Sequence, residues 1–220
     1  AELALRYEDE GADEIVFLDI TASSDGRELT REVVRRTAEG LFVPLTVGGG
    51  LRTLDDILRT LDSGADRVSL NTSAVSSPDF IRDAVDMFGS QCIVLAIDAK
   101  KKAGSWVVYT HGGRVETEVD LLDWVATGER MGAGEILLTS MDTDGTKQGY
   151  DLTQIRAVTE RIRIPVIASG GCGTMEHIYE ALRGGADAAL AASIFHYQEI
   201  RIQDLKRYLD SKGIEVRLKG

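Results

Sequence analysis

The chain has few cysteines, too little positive charge for a nucleic-acid partner, and no long hydrophobic run. Its two cysteines, Cys92 and Cys172, are too few for a disulfide framework and do not stand at metal-ligand spacing. We therefore predict no metal site, and no sequence feature calls for a cofactor. The net charge of −11 disfavours nucleic-acid binding, because phosphate backbones are bound by clustered Lys and Arg.

The low cysteine content and the lack of membrane signals together predict a cytoplasmic protein. No apolar run approaches the roughly 18 residues that cross a bilayer, and no basic-then-apolar leader stands at the start. The acidity does not exclude a small phosphorylated ligand, because backbone amides can bind phosphate without net positive charge. With 220 residues and 43% hydrophobic content, we expect one domain over residues 1–220.

Seven apolar segments alternate with amphipathic ones along the chain. "VPLTVGGG" is followed by "TLDDILRTLDSG", and "CIVLAIDAK" by "VDLLDWVATGERMG". Apolar strands that are each followed by a helix predict a parallel sheet covered by helices. Short helix-to-strand connections and longer segments after the strands favour an α/β fold of the (β/α)8 TIM-barrel type. An open, doubly wound sheet is the alternative.

The sequence contains an internal repeat with an offset of 121 residues. "VPLTVGGG" from Val43 matches "IPVIASGG" from Ile164, and a Gly-Ala-Asp triplet recurs at the same offset. This spacing predicts two related half-barrels. We count seven strands. The strand that ends at Asp98 has no counterpart one repeat earlier, so we expect the first strand of the barrel to precede Ala1.

Two glycine-rich loops follow predicted strands at equivalent positions of the repeat. "VGGG" ends at Gly50 and "SGGCG" begins at Ser169, each before a predicted helix. Glycine lets the backbone approach a ligand closely, and polar strand ends such as "SLNTSAV" and "LAASIFH" can complete a phosphate site. Two such loops predict a ligand with two phosphates. Tight turns without a ligand are the alternative.

Asp98 is the strongest candidate for catalysis. It ends the apolar strand "IVLAIDAK", where a carboxylate is costly unless it is paired or used, so we predict a general acid or base. A carboxylate that only ties down a neighbouring loop is the alternative. Asp19 and Asp144 occupy comparable strand ends. His111 lies in "WVVYTHGG", which predicts a hairpin over the barrel mouth.

Several motifs together resemble one known family. "TVGGG", "GADRVSLNTSAV", "GSQCIVLAIDAK", "GAGEILLTSMDTDGTKQGYD", "IASGGCGTMEH" and "GADAALAASIFH" are similar to the cyclase subunits of imidazole glycerol phosphate synthase, from histidine biosynthesis. "LTSMDTDGTKQGYD" and "SGGxGxxEH" favour this family over the sugar isomerase of the same pathway. The resemblance implies a TIM-barrel lyase that takes ammonia from a glutaminase subunit. It converts a ribulosyl aminoimidazole carboxamide ribotide bisphosphate to imidazole glycerol phosphate and aminoimidazole carboxamide ribotide.

The resemblance also implies roles for individual residues. Asp98 is one of two catalytic aspartates, and the other belongs to the first strand. We call one phosphate site the first cradle, formed by Gly50, Asn71 and Thr72. The other is the second cradle, formed by Asp144, Gly145, Gly171, Ala192 and Ser193. Supporting contacts are expected from Asp19, Thr139 and Ser169.

The opposite end of the predicted barrel carries charges at its strand starts. In the family this face docks the glutaminase in a heterodimer, and Glu14, Arg67 and Glu135 would belong to a charged ring around the ammonia entrance. Arg67 stands where we expect lysine in the family. Ordinary salt-bridged solvation is the alternative reading of these charges. Two alternative functions also stay open, the isomerase and a catalytically inactive, truncated or engineered barrel that retains phosphate binding.

Overall fold

The computed structural model describes residues 1–18 and 26–218. In this part of the chain a nine-stranded sheet has the main order β1-β2-β3-β4-β7-β8-β9, with β5 and β6 attached as a hairpin to β4. The strands are β1 (Ile15–Leu18), β2 (Leu45–Gly48), β3 (Arg67–Leu70), β4 (Ile93–Lys102), β5 (Ser105–Thr110), β6 (Val115–Asp120), β7 (Glu135–Ser140), β8 (Val166–Ser169) and β9 (Ala188–Leu190).

Helices follow the parallel strands and cover the sheet. They are α1 (Glu2–Asp9), α2 (Gly26–Ala38), α3 (Leu54–Asp62), α4 (Thr72–Ser76), α5 (Asp79–Phe88), α6 (Leu121–Met131), α7 (Leu152–Thr159), α8 (Met175–Arg183), α9 (Ser193–His196) and α10 (Ile202–Ser211). Every helix in the described ranges is too short or too polar to span a membrane.

The seven main strands pair in parallel, and the sheet is curled. Its order follows the chain without reversal, which excludes the doubly wound alternative, because that fold requires the strand order to reverse. The two ends of the sheet approach each other. Arg6 of α1 donates to the carbonyl of Phe195 in α9 over 3.3 Å, and Tyr7 shares a hydrogen bond with His196. The curled, parallel α/β arrangement confirms the predicted fold class.

The outer edges of β1 and β9 have no strand partner in the described ranges. The strand that we expect before Ala1 would lie outside this sequence, and it stays a prediction. The single domain over residues 1–220 likewise stays a prediction.

The internal repeat of the sequence is present in the structure. The offset of 121 residues relates β2 to β8 and α3 to α8 from the first residue to the last. It also relates two hydrogen bonds at the strand starts. The carboxylate of Asp66 accepts from the amide of Leu45 over 2.8 Å, and that of Asp187 from the amide of Val166 over 2.9 Å. The two halves therefore share details of hydrogen bonding as well as element order.

The main core lies between the outer face of the sheet and the helices. On β4, Ile93, Leu95 and Ile97 are at most 1% exposed and pack in one cluster with helix residues such as Ile57 and Val125. Because side chains alternate along a strand, the intervening residues of β4 face the inside of the curled sheet. Asp98 belongs to this inner row, at the strand's carboxyl-terminal half.

The hairpin and two short helices complete the loops at the carboxyl ends of the strands. β5 and β6 form the predicted hairpin, with His111 in its turn at a φ of 55°. Helices α4 and α9 were not predicted from the sequence. With five and four residues, these helices are too short to show the 3.6-residue period on which helix prediction rests.

Candidate active site

Three polar side chains form a row across neighbouring strands. Asp98 of β4 is in register with Thr139 of β7, and Thr139 is in register with Ser169 of β8. All three are partly exposed, whereas the preceding residue on each strand is buried. The row therefore lies on the inner face of the sheet near its carboxyl-terminal edge, where parallel α/β folds place their active sites.

Asn71 holds the Asp98 carboxylate. It follows β3, and its amide nitrogen donates to Oδ2 of Asp98 over 3.0 Å. The Oδ1 atom of Asn71 is buried and has no hydrogen-bond partner among the described residues. A buried acceptor without a donor is unusual in a protein interior, so this oxygen is available to a ligand.

The surroundings of Asp98 favour its protonated form. Burial raises the pKa of the carboxyl above its ordinary value, and the nearby charge of Asp144 raises it further, while the hydrogen bond from Asn71 opposes both. A carboxyl whose pKa is raised towards neutrality can both donate and accept a proton, as a general acid or base must.

The residues of the predicted first cradle lie at the ends of two adjacent strands. Gly50 follows β2, and Thr72 follows β3. At the strand end itself, a Cβ on Gly48 would lie 1.9 Å from the hydroxyl of Ser69, so no larger residue fits there. The Thr72 hydroxyl accepts a hydrogen bond from the His111 amide over 2.9 Å, which attaches the hairpin tip to this cradle.

The residues of the predicted second cradle belong to three loops, after β7, β8 and β9. Asp144 and Gly145 lie in the first loop, Gly171 in the second, and Ala192 and Ser193 in the third. The first two loops are in direct backbone contact, because a Cβ on Gly171 would lie 2.1 Å from the carbonyl oxygen of Gly149.

The residues that join these loops were not predicted from the sequence. The Thr143 hydroxyl donates a hydrogen bond to the carbonyl of Gly170 over 3.0 Å. The Gly149 amide donates to the carbonyl of Gly171 over 2.8 Å. The Tyr150 hydroxyl donates to the carbonyl of Leu190 over 2.9 Å. All three donors lie in "TDGTKQGY". That segment carried part of the family resemblance, but its spacing gives no sign of these contacts. Asp19, a predicted supporting residue, lies outside the described residues.

The charged residues predicted at the opposite end of the sheet are in contact. The Arg67 guanidinium lies 2.7 Å from the Glu14 carboxylate and 3.2 Å from that of Glu135. Burial raises the pKa of Glu135, and the charge of Arg67 opposes that rise. Arg67 therefore compensates two carboxylates at this end of the sheet.

Neither cysteine suggests a metal or a reactive thiol. In residues 1–18 and 26–218, no group of three or more His, Cys, Asp or Glu side chains is arranged to hold a metal ion. Cys92 and Cys172 are both free, and burial raises the pKa of the Cys172 thiol, so that thiolate chemistry is disfavoured there.

The fold and the site define a class: a curled, parallel α/β protein with a carboxyl group between glycine-rich loops at the carboxyl ends of its strands. Residues 1–201 match the family model described as histidine biosynthesis protein. The chain belongs to this family. It is 58% identical over 219 residues to the imidazole glycerol phosphate synthase subunit HisF of Wolinella succinogenes, across 99% of this chain and 86% of that relative. The family resemblance seen in the sequence is thus confirmed.

Proposed function

We propose that this protein is the cyclase of imidazole glycerol phosphate synthase, a lyase of histidine biosynthesis. It would use ammonia to convert the ribulosyl aminoimidazole carboxamide ribotide bisphosphate into imidazole glycerol phosphate and aminoimidazole carboxamide ribotide. The identity of 58% with a synthase subunit of this name supports the cyclase over the isomerase and over an inactive barrel.

The observation that carries the proposal is the position of Asp98 between residues of the two cradles. Asn71, of the first cradle, donates to its carboxylate, and Asp144, of the second cradle, is close enough to raise its pKa. A substrate held at both ends by its phosphates would therefore present its middle part to Asp98. Such fixed placement of a reacting group beside an acid–base residue lowers the barrier of a reaction.

Asp98 would move protons during ammonia addition and ring closure. These steps take protons from nitrogen and give them to departing oxygen or nitrogen, so a carboxyl whose raised pKa lets it hold a proton more tightly than an ordinary aspartate suits them. Thr139 and Ser169, in register with Asp98, offer hydroxyls that can donate to the polar middle of the substrate.

The cradles would bind phosphate mainly through uncharged groups. Asn71, Thr72 and Ser193 supply an amide and hydroxyls, and the glycine loops bring backbone amides close to the ligand. This type of site explains how a chain with a net charge of −11 could bind a substrate with two phosphates.

A glutaminase subunit would supply the ammonia at the opposite end of the sheet. The relative's printed name, a synthase subunit, supports an assembly of more than one chain. The cluster of Glu14, Arg67 and Glu135 would lie at the entrance to the barrel interior and face this partner. We propose the cytoplasm as the location of this complex.

The variant Asp98→Asn tests the proposed catalytic role. The full-length wild-type protein should turn over the bisphosphate substrate when an ammonium salt is added, and Asp98→Asn should lower kcat by at least about 100-fold because it removes the acid–base group. Product formation is measured by absorbance or chromatography, and circular dichroism verifies that the variant is folded. Activity of Asp98→Asn near the wild-type level would contradict the assignment.

The ammonium dependence separates the proposed function from its alternatives. A cyclase forms product only with ammonia and the ribulosyl substrate, whereas the isomerase would consume the precursor of that substrate without ammonia. An inactive barrel would turn over neither substrate.

A further inference from the structure

The loop between β7 and α7 joins the separate parts of the second cradle through two consecutive residues. The Gly149 amide donates to the carbonyl of Gly171, and the Tyr150 hydroxyl donates to the carbonyl of Leu190. Gly171 is itself a cradle residue, and Leu190 ends β9, two residues before Ala192. One loop therefore contacts both of the other chain segments that form this cradle.

The end of β9 receives a hydrogen bond from a side chain of another loop. The strand has three residues, and in the described ranges it pairs only with β8. The carbonyl of Leu190 accepts the Tyr150 hydroxyl at the point where the chain leaves the sheet towards Ala192 and Ser193. A side-chain hydrogen bond to this carbonyl fixes the backbone at the point where it leaves the strand.

Tyr150 is suited to act as a permanent donor. Its side chain is 6% exposed and lies against Cys172, in the loop that also carries Gly171. Burial raises the pKa of the phenol above its ordinary value, so the hydroxyl keeps its proton over the whole physiological range. The hydrogen bond to Leu190 therefore does not depend on pH.

We propose that Tyr150 is a positioning residue of the second cradle: its hydroxyl holds the Leu190 carbonyl and thereby sets the place of the Ala192 and Ser193 backbone that binds one substrate phosphate. This proposal rests on the proposed function. Tyr150 makes no contact with the substrate in this scheme and acts through the chain segment that follows β9.

The variant Tyr150→Phe tests the proposal, because it removes the hydroxyl and keeps the buried ring. The KM for the bisphosphate substrate should rise about three- to tenfold, the range that one hydrogen bond implies, with kcat unchanged. The phosphate is bound alike in the ground and transition states, so its weaker binding affects KM alone. Calorimetric titration with inorganic phosphate should show one of two sites weakened by a similar factor.

Tyr208→Phe is the matched control. It removes the hydroxyl with which Tyr208 of α10 donates to Glu176 of α8. This change should affect neither KM nor phosphate affinity. An unchanged KM in Tyr150→Phe, with or without a lower melting temperature, would overturn the proposal, as would a fall in kcat alone.

The phosphate titration separates this proposal from the proposed function. A full-length wild-type protein that binds two phosphates but fails to turn over the substrate contradicts the cyclase assignment, and Tyr150→Phe can still be judged by phosphate affinity. A wild-type protein that binds no phosphate overturns both proposals.

Discussion

At the scale of single residues, Asp98 combines a cost in stability with a chemical use. Its carboxyl is partly buried near a second carboxylate, and among the described residues the Asn71 amide is the side-chain group that hydrogen-bonds to it. Burial of a charge is unfavourable, and proteins accept such a cost mostly at functional sites. The sequence predicted this residue because an aspartate at the end of an apolar strand is conspicuous. It did not predict the hydrogen bond from Asn71, which joins two different strands.

The raised pKa of Asp98 predicts a pH-dependent gain in stability for Asp98→Asn. The folded protein binds the Asp98 proton more tightly than the unfolded chain does, so the stability that comes from the protonated form is lost as the pH rises through the folded pKa. Asparagine does not titrate. The variant should therefore be more stable than wild type at neutral pH, and the difference should shrink below about pH 4, near the unfolded pKa.

Urea unfolding of both proteins at several pH values measures this difference. Asp144→Asn provides a control, because removal of the neighbouring charge should lower the pKa of Asp98 and reduce the loss of stability at neutral pH. A difference between Asp98→Asn and wild type that does not vary with pH would contradict the account.

At the scale of elements, strands and long helices followed from the sequence more closely than loops did. "CIVLAIDAK" predicted β4 and "MEHIYEALRGG" predicted α8, because apolar runs and the helical period reflect burial along one element. Contacts between loops, such as Thr143 with Gly170, depend on the backbone conformation of two segments that are far apart in the chain. Local patterns carry no information about such contacts, so the joined second cradle could not be predicted.

Asp66 and Asp187 make equivalent hydrogen bonds in the two halves, so we expect them to stabilise the folded protein equally. Each accepts from the first amide of a strand, in β2 and in β8 respectively. Asp66→Ala and Asp187→Ala should each lower the free energy of unfolding by roughly 1 kcal/mol. The Asn variants keep an acceptor oxygen and should lose less. Chemical denaturation measures the free energy of unfolding of these variants. A loss of stability in only one of the two alanine variants would contradict the equivalence.

At the scale of the whole molecule, the two halves place different residues at equivalent positions. The 121-residue offset relates Asn71 of the first cradle to Ala192 of the second, so the side-chain amide that donates to Asp98 has an alanine at its equivalent position. The repeat was visible in the sequence and predicted two cradles. The hydrogen bond between Asn71 and Asp98, which distinguishes the first half from the second, could be seen only in the folded structure. A site of this kind can distinguish the two ends of an asymmetric bisphosphate.

The most direct test of the central claim is a crystal structure of Asp98→Asn with the bisphosphate substrate bound. The variant should hold the substrate without turning it over. We expect one phosphate at Gly50, Asn71 and Thr72, the other at Gly171, Ala192 and Ser193, and the ribulosyl portion against position 98. Both phosphates on one side of position 98, or a substrate bound away from the two cradles, would contradict it.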